Sequence, residues 1–286
     1  MTEQKQENDV TGIKVYYAAV LAGLTMLCPF GASADFVQND LKADPSGQFY
    51  CGDAMEWCFG IAQTSSGAKD SDAVDTPVLL VLRAGKEVTR QEIIQRKSSD
   101  DDVVSWRKTG IWPQWVHDPD NSGAFLMGIV TTTSVGYSGG GASVAMLSLI
   151  RVDPQLGMPP KLDMVATFPW EASKMIRACF SEQDMIDRNQ LCHDTYDFTA
   201  EITPVSDANV GGGTMPSLHY MAGASKFPPN ADLTTDSNTR PVDGKQTMVQ
   251  TPDPACQLDA VFRFDINAQA YDIDLPLEGC EAYLIP

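Results

Sequence analysis

The residues with the clearest capacity for chemistry surround Ser138. The segment 136–140 reads Gly-Tyr-Ser-Gly-Gly, the spacing G-x-S-x-G in which glycines permit a tight turn that exposes a nucleophilic serine hydroxyl. His193 and His219 follow in the chain, and His219 is the better placed to act as the base. The acidic third member would come from a downstream set: Asp194, Asp197 and Asp207. One hypothesis is therefore a secreted serine hydrolase that uses Ser138 and His219.

A second interpretation places Ser138 in an ordinary hairpin loop. The strand before it ends in residues 131–134, Thr-Thr-Thr-Ser, which is polar for the buried central strand of a hydrolase sheet. The downstream half also lacks the alternating helices that would cover such a sheet. Gly139, Gly140 and Gly141 suit a turn between two strands equally well. We favour the hairpin loop.

Two further segments could bind a ligand. Asp118, Asp120 and Ser122 precede Gly123 with the alternating oxygen ligands of a calcium loop, although position twelve is Ile129 and not the bidentate glutamate. Trp112 and Trp115 could stack on the rings of a cell-envelope glycan, although tryptophans lie more often in a core. An ordinary turn and a buried aromatic cluster are the favoured interpretations of these two segments.

The cysteines indicate a covalent framework. Of seven cysteines, six follow residue 34, and they fall into three local pairs: Cys51–Cys58, Cys179–Cys192 and Cys256–Cys280. An even number in an exported chain predicts disulfides, and these three pairings are our prediction among fifteen connectivities. No C-x-x-C, H-x-H or H-E-x-x-H spacing supports a zinc site.

In the segments that position these residues, apolar and polar side chains alternate with the two-residue period of β-strands. In the segment 192–203, Tyr196, Phe198 and Ile202 alternate with polar side chains, which is typical of a strand with one solvated face. The same alternation predicts further strands at 78–83, 103–107, 125–133, 143–152, 162–168 and 217–222, and a hairpin over 262–275. The sequence therefore predicts a mainly β protein, an antiparallel sandwich or barrel-like domain.

Other segments break this period. Thr89 and Glu92 have the spacing of a capping box and predict one short helix. Composition predicts long loops at 64–76, 205–214 and 226–254, and the glycine-rich middle loop is a candidate boundary near 205–215 within a single domain over 35–286.

The first 34 residues predict export. An apolar run over 15–30 is followed by Gly-Ala-Ser-Ala at 31–34, which fits cleavage after Ala34. Pro29 interrupts the run, which is too short for a membrane anchor. We expect a periplasmic or secreted protein with no membrane insertion after cleavage.

Charge narrows the choice of partners. With 38 acidic and 20 basic residues, the formal net charge is −18. Such a surface repels nucleic acid and anionic lipid. The sequence favours an exported binding or structural protein without catalysis. It does not identify the ligand, and a cell-envelope glycan or protein is the candidate partner. It indicates no cofactor beyond the incomplete calcium loop.

Overall fold

The protein is built of antiparallel strands. The computed structural model describes residues 36–53, 56–64, 76–93, 105–119, 123–205, 215–237, 242 and 249–286. The strands in these ranges are β1 (Val37–Asp40), β2 (Lys42–Ala43), β3 (Phe49–Cys51), β4 (Trp57–Thr64), β5 (Thr76–Arg83), β6 (Lys86–Glu92), β7 (Ser105–His117), β8 (Phe125–Tyr137), β9 (Gly140–Asp153), β10 (Lys161–Arg177), β11 (His193–Val205), β12 (Ser217–Phe227), β13 (Thr251–Phe262), β14 (Phe264–Asp265) and β15 (Ala270–Tyr271).

These strands form two main sheets. The larger has eight strands in the order β1-β7-β8-β9-β10-β11-β12-β13, and the smaller has five in the order β2-β3-β4-β5-β6. All neighbouring pairs are antiparallel. The predicted mainly β, antiparallel fold class is confirmed. Within the described ranges, α1 (Glu182–Asp187) is the single α-helix, and a 3-10 turn (Glu281–Tyr283) lies near the C-terminus. No helix in these ranges has the length and apolar character needed to cross a membrane.

The smaller sheet packs against one face of β7, β8 and β9. Phe125 of β8 lies at the centre of this contact, with its ring 5.3 Å from that of Trp57 and 6.1 Å from that of Phe59. Aliphatic side chains from both sheets complete a buried layer, as in a β-sandwich. These include Leu79, Val81, Met127, Ile129, Ile150 and Val152.

The larger core lies inside the curl of the eight-stranded sheet. Phe168 of β10 and Phe262 of β13 have ring centroids 5.5 Å apart. In the sheet, β10 and β13 are three strand spacings apart, which would be about 14 Å in a flat sheet. The sheet must therefore curve strongly to bring the two rings this close. Tyr271 and Tyr283, from the C-terminal segment, are buried in the same core. The sandwich thus has one barrel-like half.

All three predicted disulfides are confirmed. Cys51 joins Cys58 across β3 and β4, Cys179 joins Cys192 across the loop that holds α1, and Cys256 joins Cys280. The last bridge ties β13 to the C-terminal segment. Gly279, beside it, has φ of +81°, and a Cβ there would lie 2.2 Å from the carbonyl oxygen of Ala255. Only glycine fits this turn.

The predicted position of the helix is wrong. Thr89 and Glu92 lie in β6, where Thr89 pairs with Val81 of β5. Ala84 and Gly85, both with positive φ, turn the chain between these strands, and the sheet pairing outweighs the local capping signal. The helix forms at Ser181 instead, whose side chain accepts a hydrogen bond from the Asp184 amide in a capping box.

Two predicted boundaries also change. The long loop ends earlier than predicted, because residues from Thr251 onwards belong to β13. The predicted C-terminal hairpin forms, with its turn after Asp265, but its strands β14 and β15 have only two residues each. Residues 1–34, most of 64–76 and the boundary within 206–214 lie outside the described residues. The strands on either side of 206–214 are β11 and β12, and they pair with each other beginning at Val205 and Ser217.

Asp253 links β13 to β12 and to the C-terminal segment. The Tyr283 hydroxyl donates to its carboxylate at 2.6 Å, and the Lys226 ammonium lies 3.3 Å away. Burial by itself raises the pKa of Asp253, but hydrogen bonds from Tyr283, the Ala255 amide and Lys226 outweigh it and leave the pKa below the ordinary 3.8. This contact therefore stabilises the fold above pH 3.8, and the stabilisation is lost as the pH falls through the lower, folded-state pKa.

Tyr283→Phe removes the hydroxyl donor and leaves the ring. We expect it to lower the free energy of unfolding by about 1–2 kcal/mol at pH 6, because the acceptor is charged. The difference from wild type should shrink between pH 4 and pH 2.5, measured by urea unfolding. Tyr137→Phe is the control, since the exposed Tyr137 hydroxyl makes only a 3.4 Å hydrogen bond to the Met175 carbonyl. A Tyr283→Phe difference that stays constant with pH would contradict this assignment.

Candidate functional site

Ser138 lies where the hairpin interpretation puts it. It is exposed in the two-residue turn between β8 and β9, closed by the pair Tyr137↔Gly140. Gly140 has φ of +154°, and a Cβ on it would lie 1.9 Å from the Met175 carbonyl oxygen. The glycines of the motif thus serve a tight turn packed against β10.

The structure does not bring Ser138 and His219 together. The Ser138 turn lies at the end of the sheet where Gly140 pairs with Ile176 and Ile176 pairs with Asp194 of β11. His219 pairs with Thr203, nine residues further along β11, which corresponds to about 30 Å of strand. The His219 ring is instead bonded to Asp259, with Nε2 and Oδ1 2.8 Å apart. Ser138 and His219 therefore do not form a nucleophile–base pair.

The calcium and glycan candidates gain no geometric support. Asp118 follows β7 directly, while Asp120 and Ser122 lie outside the described residues. Within the described ranges, no three His, Cys, Asp or Glu side chains are grouped so that they could hold a metal ion. Trp112 is 2% exposed and Trp115 is 8% exposed. Both indoles are thus core residues, without the open face that stacking on a sugar requires.

A groove with a volume of about 610 Å³ lies on the outer surface of β11, β12 and β13. Its two central rows of side chains come from directly paired residues. In the first row, Glu201, Met221 and Asp259 lie side by side across the three strands. In the second row, the partners are Thr199, Gly223 and Gln257.

Gly223 allows the Gln257 side chain to lie across the second row. A Cβ on Gly223 would lie 3.0 Å from the Gln257 carboxamide, so a larger residue there would displace that side chain. Gln257 donates to the Asp253 carbonyl oxygen at 3.1 Å, which fixes the position of its carboxamide. The pairing of β12 with β13 also shifts between Gly223 and Ala224, and such irregularities bend a sheet locally.

The groove has negative walls and an apolar centre. Glu201 and Asp259 are exposed on either side of Met221, whose thioether side chain is partly exposed. The carboxylates stand two strands apart, about 10 Å between backbones. The described residues that line the groove include neither Lys nor Arg. The Asp259 carboxylate also contacts the His219 ring of β12. The arrangement suits an organic cation with an aliphatic body.

Sequence reasoning identified part of this surface. The alternation in the segment 192–203 already puts Thr199 and Glu201 on the solvated face of their strand. It gives no indication that Met221, Gly223 or Asp259 lie beside them, because register depends on contacts remote in sequence. Comparisons with protein-family models, curated proteins and solved structures found no match to this chain.

Proposed function

We propose that the protein is exported and matures in an oxidising compartment. Three disulfides support this, since such bonds persist outside the reducing cytosol. The apolar run and small residues before Asp35 support it independently. Mass spectrometry of the natural protein should find an N-terminus at Asp35 and no alkylatable thiol. A product that retains Met1 and has all seven cysteines as free thiols would contradict export.

We further propose that the mature protein binds a ligand without transforming it, and that the groove of β11–β13 is the binding surface. One observation carries this proposal: the exposed carboxylates of Glu201 and Asp259 lie on either side of the exposed Met221 in one row across β11, β12 and β13. The ligand class is an organic cation, such as the lysine side chains of an envelope protein, whose ammonium groups pair with the carboxylates while the methylenes cover Met221.

The test uses trilysine peptide as the probe, with binding followed by NMR chemical shifts at low salt. We expect shifts at the amides of Glu201, Met221 and Asp259. The double substitution Glu201→Gln and Asp259→Asn should weaken binding about 3- to 10-fold, because the two exposed ion pairs together contribute roughly 0.7–1.4 kcal/mol. Nε-acetylated trilysine should not bind. Gly223→Leu should also weaken binding, because the leucine side chain would occupy the groove and displace the Gln257 carboxamide.

A matched control separates the groove from general attraction to an acidic surface. Glu87→Gln together with Glu92→Gln removes the same charge from β6, on the other sheet, and should leave binding unchanged. Equal weakening by both double variants would mean that the net charge alone attracts the peptide, and would refute the groove as a specific site.

A further inference from the structure

The hairpin that joins β9 to β10 presents an apolar tip. Its residues 154–160 read Pro-Gln-Leu-Gly-Met-Pro-Pro and carry no charge. The Leu156 side chain is 103% exposed and Met158 is 63% exposed. Gly157, between them, has φ of +72°, so the turn holds both side chains outward. A fully exposed leucine at a turn tip costs hydrophobic free energy unless another surface covers it.

A depression lies directly beside this tip. Its volume is about 350 Å³, and its walls come from the tip itself and from the smaller sheet: Trp57, Arg83, Val88, Gln155, Gly157, Met158, Pro159 and Pro160. Gln155 and Gly157 flank Leu156 in the chain, so a projecting apolar side chain and an apolar hollow occupy one patch. The hollow has ample room for a leucine side chain.

The charges around this patch are compensated. Arg83 pairs with Glu56 at 3.0 Å, and the Arg83 guanidinium also lies over the Trp57 ring. Arg151 pairs with Asp153 at 3.2 Å at one end of the hairpin, and Lys161 pairs with Asp163 at 2.8 Å at the other. The patch is thus close to neutral on a chain whose formal net charge is −18. Two copies of an acidic protein repel each other least where such a neutral patch meets its equivalent.

We propose that a second copy of this chain binds here, with a two-fold axis between the tips and Leu156 of each copy in the hollow of the other. A two-fold contact uses the same patch on both subunits. The projecting Leu156 and the hollow that receives it must therefore lie in one patch of each copy, as they do here. Each copy contributes only one hairpin tip and one hollow, so we expect an interface below the standard range of area and a weak dimer that forms at roughly tens to hundreds of micromolar. This inference is independent of the groove of β11–β13.

Sedimentation velocity of the mature, disulfide-bonded protein tests the dimer, over about 5–500 µM. We expect wild type to shift from monomer to dimer across this range. Leu156→Glu should remain monomeric, because it places a charge in each hollow. Met158→Glu, a second substitution in the same patch, should do the same. Raising NaCl from 50 to 500 mM should strengthen the wild-type dimer, since salt screens repulsion between the acidic subunits.

Ile266→Glu is the matched control. Ile266 is 59% exposed on the C-terminal turn after β14, outside the patch, and this variant should dimerise as wild type does. The proposal is overturned if wild type stays monomeric at every concentration, or if Leu156→Glu and Met158→Glu dimerise like wild type. Circular dichroism of each variant confirms that these exposed substitutions leave the fold intact.

Discussion

Arg188→Ala is expected to lower the free energy of unfolding by about 3–5 kcal/mol, and Asp194→Asn to have an effect of similar size. The two side chains form an ion pair in which both are fully buried. Removing one partner leaves the other charge without compensation in the interior. For a domain of this size the loss corresponds to roughly 10 °C in melting temperature, measurable by calorimetry.

The contacts of Arg188 explain why its replacement should lower the free energy of unfolding so strongly. It follows α1 as the C-terminal cap residue, and Asp194 is the second residue of β11. Its guanidinium also donates to the carbonyl oxygen of Leu191 at 2.9 Å and to that of Ser237. One side chain thus joins the helix, the start of a central strand and the segment after β12.

A double variant distinguishes lost charge pairing from lost packing. Arg188→Met combined with Asp194→Leu removes both charges and keeps apolar volume, so we expect it to be more stable than either single variant. The control is Lys42→Ala, which breaks the ion pair between Lys42 and Asp53. The side chains of both of these residues are largely exposed. That change should cost less than 1 kcal/mol. Losses below 1 kcal/mol in both buried single variants would contradict a buried pair.

Replacing Cys256 and Cys280 together by alanine is expected to lower the free energy of unfolding by about 3–4 kcal/mol. The bridge closes a loop with a sequence separation of 24, the longest of the three, and the chain-entropy argument gives the largest effect to the longest loop. Both cysteines are fully buried. The bridge also fixes the C-terminal segment that brings Tyr271 and Tyr283 into the larger core.

The other two bridges provide an internal comparison. Their sequence separations are 13 for Cys179–Cys192 and 7 for Cys51–Cys58, which correspond to about 2.9 and 2.4 kcal/mol in the same argument. Urea unfolding of the three double-alanine variants should therefore rank them by loop length. The largest loss for the Cys51–Cys58 variant would show that native packing, and not loop closure, controls the contribution of these bridges.

The sequence alone determined the features that depend on near neighbours. Alternation along 192–203 identified β11, since successive side chains of a strand point to opposite faces whatever the strand pairs with. Cysteines that are close in the chain indicated their own partners, and all three pairings hold. The glycines around Ser138 favoured a turn because few other residues adopt its backbone angles.

The same sequence left β1 to β4 unidentified, and the helix was misplaced. The segment Trp57–Thr64 does not alternate clearly between polar and apolar side chains. The reason is that three consecutive residues, Trp57, Cys58 and Phe59, are all buried in the structure. The capping-box spacing at Thr89 did not produce a helix, because this segment pairs with β5. The strand pairing supplies more hydrogen bonds than one turn of helix would.

Only the tertiary structure decided which side chains meet. Glu201 and Asp259 share a groove because β12 pairs with both β11 and β13 in one particular register. His219 is separated from Ser138 by the same register, and Arg188 is buried where it contacts Asp194 of β11 and the Ser237 carbonyl oxygen. Strand partners and register are set by contacts between residues far apart in the chain, whose free energy depends on the whole sheet. Local sequence therefore identified many of the strands of the larger sheet but not the surface that they form together.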